Sequence, residues 1–126
     1  MRIGSTLLAE IEARAAASPD REVCGLLFGD DDWIDKATAA PNVSPRPEDS
    51  FEIDPAALFA ALRAERAGGP RLIGHYHSHP GGSTRPSPRD LAAAEPGKLW
   101  LILGREGARL WFATTTGFVE RALSCD

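Results

Sequence analysis

All three histidines of this chain lie within one five-residue stretch, at His75, His77 and His79. Alternate side chains of a β-strand share a face and lie about 6.6 Å apart along the backbone, so two imidazoles at this spacing can turn toward one metal ion. A third ligand must come from elsewhere, and Asp90 follows His79 with ten residues between them. Histidine pairs alone often only form hydrogen bonds in a core, but this pattern favours a metal site formed by two of the histidines together with Asp90.

The segments around these residues have the composition needed to position them. Residues 71–79 predict a strand, and residues 80–86, rich in Gly and Pro, predict a loop that turns the chain back. Ser87 and Pro88 are typical of a helix start, with Ser at the cap and Pro at the first helical position. Asp90 would then face the histidines from the first turn of a short helix.

The remaining elements predict an α+β fold. Ser5 is expected to cap a first helix, and Asp54 to open a second. The predicted helices cover residues 5–17, 55–67 and 88 to about 95. The predicted strands cover residues 23–28, 33–40, 51–53, 71–79, 99–103, 109–114 and 118–123. Residues 41–50 are expected to form a surface loop. Together they predict an α-β-α sandwich, in which a mixed central sheet is flanked by two longer helices and by the short helix that carries Asp90.

Length and composition limit the class of protein. The chain has 126 residues, of which 43% are hydrophobic and 25% charged, as in one soluble globular domain. No apolar run predicts a membrane span or a signal peptide, so we expect a cytoplasmic protein without membrane partners. The net charge of −4 argues against a nucleic-acid partner. Two cysteines, Cys24 and Cys125, are too few for a disulfide scaffold.

On these residues, the sequence resembles the JAMM (MPN-plus) metalloprotease family. The family signature is an upstream glutamate followed by His-x-His-x10-Asp, with a serine three residues before the aspartate. Here the matching residues are Glu22, His77, His79, Ser87 and Asp90. Residues 22–29 also look like the glutamate strand of the family. The resemblance covers nearly the whole chain and implies one catalytic domain over residues 1–126 with the cytidine-deaminase-like JAB/MPN fold.

The resemblance also implies a role for each of these residues. His77, His79 and Asp90 would hold one catalytic Zn²⁺ and leave a fourth position for water. Glu22, with a pKa expected near 4.3, would take the proton of that water and return it to the departing amine, while Ser87 would stabilise the oxyanion. From the residues alone, Glu22 could equally be a solvated charge, and Ser87 only a helix cap.

Three other side chains near the signature are weaker candidates. His75 shares the strand face of the ligands, and packing or a place in the substrate channel is favoured over ligation. Cys24 follows Glu22 by two residues and would suit a thiol nucleophile, but a free cysteine in a buried strand is usually inert. Ser78 is expected to point to the opposite face and to support the loop that follows.

The implied activity is that of a zinc metallopeptidase or isopeptidase. Relatives of this kind cut the amide bond after the C-terminal Gly-Gly tail of a ubiquitin-like protein, which in prokaryotes is a β-grasp sulfur carrier. Such a tail would add as a strand beside the zinc, near residues 41–52. The chain itself is expected to be a monomer or a homodimer.

Two alternatives stay open at this point. A RadC-like domain associated with DNA repair has a similar pattern, but such domains usually have asparagine where Ser78 stands and an additional N-terminal region that this chain is expected to lack. A non-catalytic MPN scaffold would be expected to have lost its ligands, whereas all five signature residues are present.

Overall fold

One mixed β-sheet with three helices forms the fold, and the computed structural model describes all residues from Met1 to Asp126. The elements are β1 (Arg2–Ile3), α1 (Ser5–Ala16), β2 (Cys24–Gly29), β3 (Trp33–Ala40), α2 (Pro55–Arg66), β4 (Leu72–Ser78), α3 (Pro88–Ala93), β5 (Leu99–Gly104), β6 (Gly107–Thr114), β7 (Gly117–Arg121) and β8 (Ser124–Cys125). Across the sheet the strands follow the order β7-β6-β5-β4-β2-β3-β1-β8. The predicted α+β arrangement is confirmed.

Strand β4 lies in the middle of the sheet and brings distant segments together. It is antiparallel to β2, with Cys24 opposite His77, and parallel to β5, with His77 opposite Ile102. These three strands are covered on both faces, which explains why they are nearly continuous apolar runs rather than alternating ones. The pairing places Glu22, just before β2, beside the end of β4, where His79 follows.

The two faces of the sheet have separate apolar clusters because alternate residues of a strand point in opposite directions. Tyr76 of β4 and Leu101 of β5 belong to the larger cluster, together with Ile11 of α1. Trp100 belongs to a second cluster on the other face, and its ring lies edge-on to His77. The predicted ligand His77 therefore lies on the face of the sheet opposite α1.

Two of the three predicted helix caps, at Asp54 and Ser87, are confirmed. Asp54 caps α2 as predicted, because its side-chain oxygen accepts a hydrogen bond from the Ala56 backbone N–H at 3.1 Å. The predicted cap at Ser5 is wrong. Gly4 is the capping residue of α1, no side chain caps that end, and Ser5 is already helical.

The other differences concern short or terminal segments. The predicted strand at residues 51–53 is reduced to a single bridge between Asn42 and Ile53, and α3 ends at Ala93 rather than near Pro96. Strands β1 and β8 were not predicted, since two residues are too few to show an alternating pattern.

Helix α2 lies over the face that carries the metal site. None of its residues is fully buried, although Leu62 packs against the small cluster around Leu72. A groove of about 440 Å³ remains beside it, lined by Phe51, His75 and Trp100 among others. No helix of the chain is both long enough and apolar enough to cross a membrane.

Candidate metal centre

The three predicted ligands lie together at the end of β4. The Nε2 atoms of His77 and His79 are 3.0 Å apart, and Asp90 Oδ2 lies 3.2 Å from the first and 3.0 Å from the second. His77 is fully buried, and Asp90 is only 4% exposed. The loop of residues 80–86 and the start of α3 bring Asp90 back to the strand, as the sequence predicted.

A hydrogen bond to the loop orients His79. Its Nδ1 lies 2.7 Å from the carbonyl oxygen of Ser83, which can only accept, so Nδ1 carries the proton. In the neutral ring, Nε2 then presents a lone pair toward His77 and Asp90. A carbonyl partner on the remote nitrogen is the usual arrangement for a histidine that binds a metal.

Helix α3 begins with a capping box that fixes Asp90. The Ser87 Oγ accepts a hydrogen bond from the Asp90 backbone N–H at 3.1 Å, and the Ser87 backbone N–H donates to Asp90 Oδ2 at 2.9 Å. This reciprocal pair satisfies two backbone donors that a helix start would otherwise leave free. It also orients the carboxylate, so helix formation and ligand placement depend on the same two residues.

This set of donors fits a zinc ion. Two imidazole nitrogens and one carboxylate oxygen are ligands that Zn²⁺ accepts, and a tetrahedral ion with bonds of about 2.0–2.1 Å separates its ligand atoms by roughly 3.3 Å. The observed separations of 3.0–3.2 Å are close to that value. The facing atoms of His77, His79 and Asp90 carry lone pairs, so they repel one another unless a cation or a proton lies between them. A zinc ion would supply this positive charge.

Glu22 is the fourth predicted site residue near this point. Each of Glu22, His77 and His79 offers one ligand atom, and these atoms all lie within 4.8 Å of one another. Glu22 is 6% exposed, and its Oε1 has no hydrogen-bond partner. The two histidines therefore have two acidic neighbours, of which Asp90 lies within hydrogen-bond distance of both rings.

Burial changes the acidity of Glu22. It raises the pKa of this carboxyl from the ordinary value of 4.5 to about 7, against an opposing effect of His79. The expectation of a pKa near 4.3 is therefore wrong for the metal-free protein, because the sequence does not show that Glu22 is taken out of water. A carboxylate with a pKa near 7 is well matched to accept and return a proton at neutral pH.

The ligands themselves have altered acidities for different reasons. Burial opposes ionisation of Asp90, but hydrogen bonds to His77 and His79 outweigh it and hold its pKa well below the usual range. Burial lowers the pKa of His77. For His79 the effect of burial is outweighed by the hydrogen bonds to Asp90 and Ser83, and its pKa is raised.

An aromatic wall, formed by Phe51, His75 and Trp100, shields one side of His77. Phe51 stacks on the His77 ring with centroids 4.1 Å apart, and Trp100 lies edge-on at 5.5 Å. His75 packs against Trp100 at 4.4 Å, and burial lowers its pKa to about 3, so its ring is neutral. The sequence analysis did not identify Phe51 or Trp100, and only the pairing of His75 with Trp100 across β4 and β5 would have indicated the latter.

The side chains of Cys24 and Ser78 bond to backbone groups rather than to the ligand atoms. The Cys24 thiol is 2% exposed and faces the carbonyl oxygen of Ala40 at 3.6 Å. Burial raises its pKa to about 12, which keeps it protonated and unreactive at neutral pH. Ser78 was expected to support the loop that follows it. Instead, its hydroxyl accepts a hydrogen bond from the backbone N–H of Val23, beside Glu22.

Two characterised relatives have sequences similar to this chain. A desampylase of Haloferax volcanii is 36% identical over 122 residues, which cover 94% of this chain and 87% of that protein. A probable TtuB-protein conjugate cleaving protease of Thermus thermophilus is 37% identical over 103 residues, covering 82% of this chain and 69% of that protein.

Solved structures have the same fold. A protein of Desulfitobacterium hafniense matches all of this chain and 93% of its own, with a TM-score of 0.85 and 26% identity. A structure described as a JAMM metalloprotease-like zinc site in the proteasome and signalosome matches all of this chain and 97% of its own, with a TM-score of 0.62. Its identity is 22%, so this second likeness concerns the fold.

One protein family matches most of this chain. The family described as prokaryotic homologs of the JAB domain matches residues 5–115, most of the chain. The matched range includes all five residues of the signature. This chain therefore belongs to the prokaryotic branch of the JAB/MPN family, to which its JAMM signature pointed.

Proposed function

We propose that residues 1–126 form a single zinc-dependent catalytic domain that hydrolyses the amide bond after the C-terminal Gly-Gly tail of a ubiquitin-like or sulfur-carrier protein. The observation that carries this proposal is the convergence of His77, His79 and Asp90 to within 3.2 Å, with buried Glu22 beside them. The desampylase and the conjugate-cleaving protease among the relatives support the class of substrate.

In this proposal His77, His79 and Asp90 hold the zinc ion. Bound zinc would act as a Lewis acid and lower the pKa of water at the site. Glu22, buried beside the ligands, accepts a proton from the attacking water and returns it to the departing amine nitrogen. The aromatic wall keeps bulk water from one side of the ligands, which strengthens electrostatic interactions there.

Ser87 has a second task beside capping α3. Its oxygen accepts the hydrogen bond from the Asp90 backbone, and this leaves the hydroxyl proton free to be donated. We assign this proton to the oxyanion that develops on the scissile carbonyl. A helix cap at this place holds the donor rigidly, so little reorganisation is needed when charge develops.

The segment from Phe51 to Ile53 offers an edge for the tail of the substrate. The backbone N–H and C=O groups of Phe51 and Ile53 have no backbone partner in the chain, and Phe51 lies against His77. An extended Gly-Gly tail could pair with this edge and reach the metal ligands, as in other cases of strand addition. The partner is accordingly a small β-grasp protein with such a tail.

The decisive experiment is cleavage of a defined conjugate. A β-grasp sulfur carrier that ends in Gly-Gly is joined either to a lysine side chain or to a peptide. Each conjugate is incubated with the zinc-loaded protein, and the masses of the products are measured by mass spectrometry. We expect cleavage after the second glycine by the wild type and by the surface variant Glu10→Gln, and none by Glu22→Gln. Zinc-loaded wild type that cleaves neither conjugate would refute the proposal.

The same experiment separates the alternatives. A scaffold module would bind the carrier equally with and without zinc and would cleave neither conjugate, and a RadC-like module would depend on added nucleic acid. The cytoplasmic location, the absence of a nucleic-acid partner and the monomeric or homodimeric state stay predictions from the sequence.

A further inference from the structure

Glu22 lies outside the regular ladder of the sheet. The first residue of β2 is Cys24, which pairs with Ala40 of β3 and with His77 of β4. Glu22 precedes this strand by two positions, and its side chain has an oxygen without any partner. Neither a strand ladder nor side-chain hydrogen bonds therefore fix this carboxylate, and its position depends on whatever holds the backbone of Glu22 and Val23.

Four hydrogen bonds hold that backbone, and two side chains supply half of them. The Glu22 N–H donates to the carbonyl oxygen of Pro47 at 2.7 Å, and the Glu22 carbonyl accepts from Asn42 Nδ2 at 2.9 Å. The Val23 N–H donates to Ser78 Oγ at 2.9 Å, and the Val23 carbonyl accepts from the Ser78 N–H at 3.0 Å. Every main-chain polar group of these two residues is thus satisfied.

Asn42 connects this backbone to the neighbouring loop. Its Nδ2 also donates to the Ser50 carbonyl at 3.0 Å, and its Oδ1 accepts from the backbone N–H groups of Ser44 and Glu52, both at 3.0 Å. All four hydrogen bonds that a side-chain amide can make are therefore formed. One residue ties Glu22 to both sides of the loop between Asn42 and Ile53.

Ser78 connects the same backbone to the metal ligands. It stands between His77 and His79 and is 3% exposed. Its hydroxyl and its backbone N–H both bond to Val23. A shift of Glu22 relative to the two histidines would break this double contact.

We propose that Asn42 and Ser78 are positioning residues for Glu22, which hold the backbone of Glu22 and Val23 at a fixed distance from the metal ligands. The inference rests on the proposed role of Glu22 as the proton acceptor. Neither side chain bonds to a metal ligand's side chain, so each acts through the backbone. Misplacement of a catalytic group by about 1 Å can lower the rate by about 10²-fold, while zinc binding depends on other groups.

The test for Ser78 compares two side chains of equal shape in the zinc-loaded protein. Ser78→Thr keeps the hydroxyl, and Ser78→Val replaces it by a methyl group. With the carrier–lysine conjugate as substrate, we expect Ser78→Val to lower kcat by about tenfold to hundredfold relative to Ser78→Thr, with KM and one zinc per chain unchanged. Amide hydrogen exchange measured by NMR should become faster at Val23 in the valine variant alone. Thr114→Val, which removes a hydroxyl from the β6–β7 hairpin, controls for the general effect of such a change.

The test for Asn42 remains informative if both variants of Ser78 fail to fold. Asn42→Asp keeps the oxygen that accepts from Ser44 and Glu52 but loses the donor to the Glu22 carbonyl. Thr115→Asp adds the same charge at an exposed position of the turn between β6 and β7 and serves as the control. We expect kcat to fall at least tenfold in the first variant only, with faster hydrogen exchange at the Glu22 amide and unchanged zinc content.

The outcomes separate this inference from the proposed function. A wild-type protein that binds zinc and cleaves no conjugate would refute the proposed function itself. Wild-type kcat in Ser78→Val, or in Asn42→Asp where the Ser78 variants do not fold, would refute the positioning role and leave the proposed function standing. A fall in zinc content or a rise in KM in place of the fall in kcat would also refute it.

Discussion

Replacing Glu22 with glutamine should have opposite effects on stability and on activity. In the metal-free protein the carboxyl is 6% exposed, has an oxygen without a partner, and has a pKa raised by burial from 4.5 to about 7. Glutamine has nearly the same shape and no charge. We therefore expect Glu22→Gln to be more stable than the wild type above neutral pH, although it has lost the group proposed to move the proton.

The size and sign of the stability effect follow from this pKa. A rise from 4.5 to about 7 corresponds to roughly 3 kcal/mol, at about 1.4 kcal/mol per pKa unit. Because the pKa of Glu22 is higher in the folded than in the unfolded state, its contribution to stability is fully present below pH 4.5 and is lost as the pH rises through about 7. The difference between Glu22→Gln and wild type should thus grow from near zero at pH 4.5 to roughly 3 kcal/mol at pH 8.

This difference can be measured by urea unfolding at several pH values between 4.5 and 8, with a metal chelator present. The pKa of His79 is raised as well, because its hydrogen bonds to Asp90 and Ser83, which both proteins keep, outweigh the effect of burial, and Glu22 adds to this rise in the wild type alone. Glu10→Gln, at an exposed position of α1, should unfold like the wild type throughout. Added zinc should reduce the advantage of Glu22→Gln, since a nearby cation favours the carboxylate.

The activity of the same variant completes the prediction. In the zinc-loaded state, loss of the general base should lower kcat by about 10²-fold to 10⁴-fold. A Glu22→Gln protein that is no more stable than the wild type at pH 8 would show that Glu22 is solvated in solution. A variant that keeps wild-type kcat would show that another group accepts the proton.

Three further results are expected from the same site. Ser87→Ala should lower the free energy of unfolding by about 1 kcal/mol through loss of the cap, and it should lower kcat by about 10²-fold through loss of an oxyanion donor. Ser87→Asn should restore the stability but not kcat, as measured by urea unfolding and by kinetics. Asp90→Asn should lower the zinc bound per chain, measured by elemental mass spectrometry, while α3 keeps its helical NMR shifts because the amide oxygen can still accept from Ser87. Iodoacetamide at pH 8 should label exposed Cys125 and spare buried Cys24, with activity retained; peptide mass spectrometry that finds the label on Cys24 would contradict its assignment as an inert thiol.

Local chemistry made part of the site predictable from the sequence. The two-residue spacing of His77 and His79 requires only a strand, and the capping pattern of Ser87 and Asp90 requires only a helix start. Both patterns act within a few residues, and the structure brings the His77, His79 and Asp90 donor atoms to within 3.2 Å of each other. The fold class could be predicted for the same reason, because its long helices and central strands have clear periodicity.

The surroundings of the ligands could not be predicted in this way. Phe51 and Trp100 reach His77 from segments 26 and 23 residues away in sequence, and Asn42 reaches Glu22 across a hairpin. Such contacts depend on strand order and register, which no local pattern contains. The altered pKa of Glu22 is of the same kind, since burial is a property of the assembled sheet.

The two acidic residues beside the histidines show how the fold separates two tasks. Asp90 accepts a hydrogen bond from the Ser87 backbone, and in the metal-free protein its contacts with the two imidazoles outweigh burial and hold its pKa below the usual range. Glu22 is buried without a donor for its Oε1, and its pKa is raised. A carboxylate that stays ionised suits a metal ligand, whereas one that exchanges a proton near neutral pH suits a general base. Under the proposed function, the environment rather than the residue type would therefore suit Asp90 to ligation and Glu22 to proton transfer. The hydrogen bonds around Glu22 are made to its backbone and leave its side chain free.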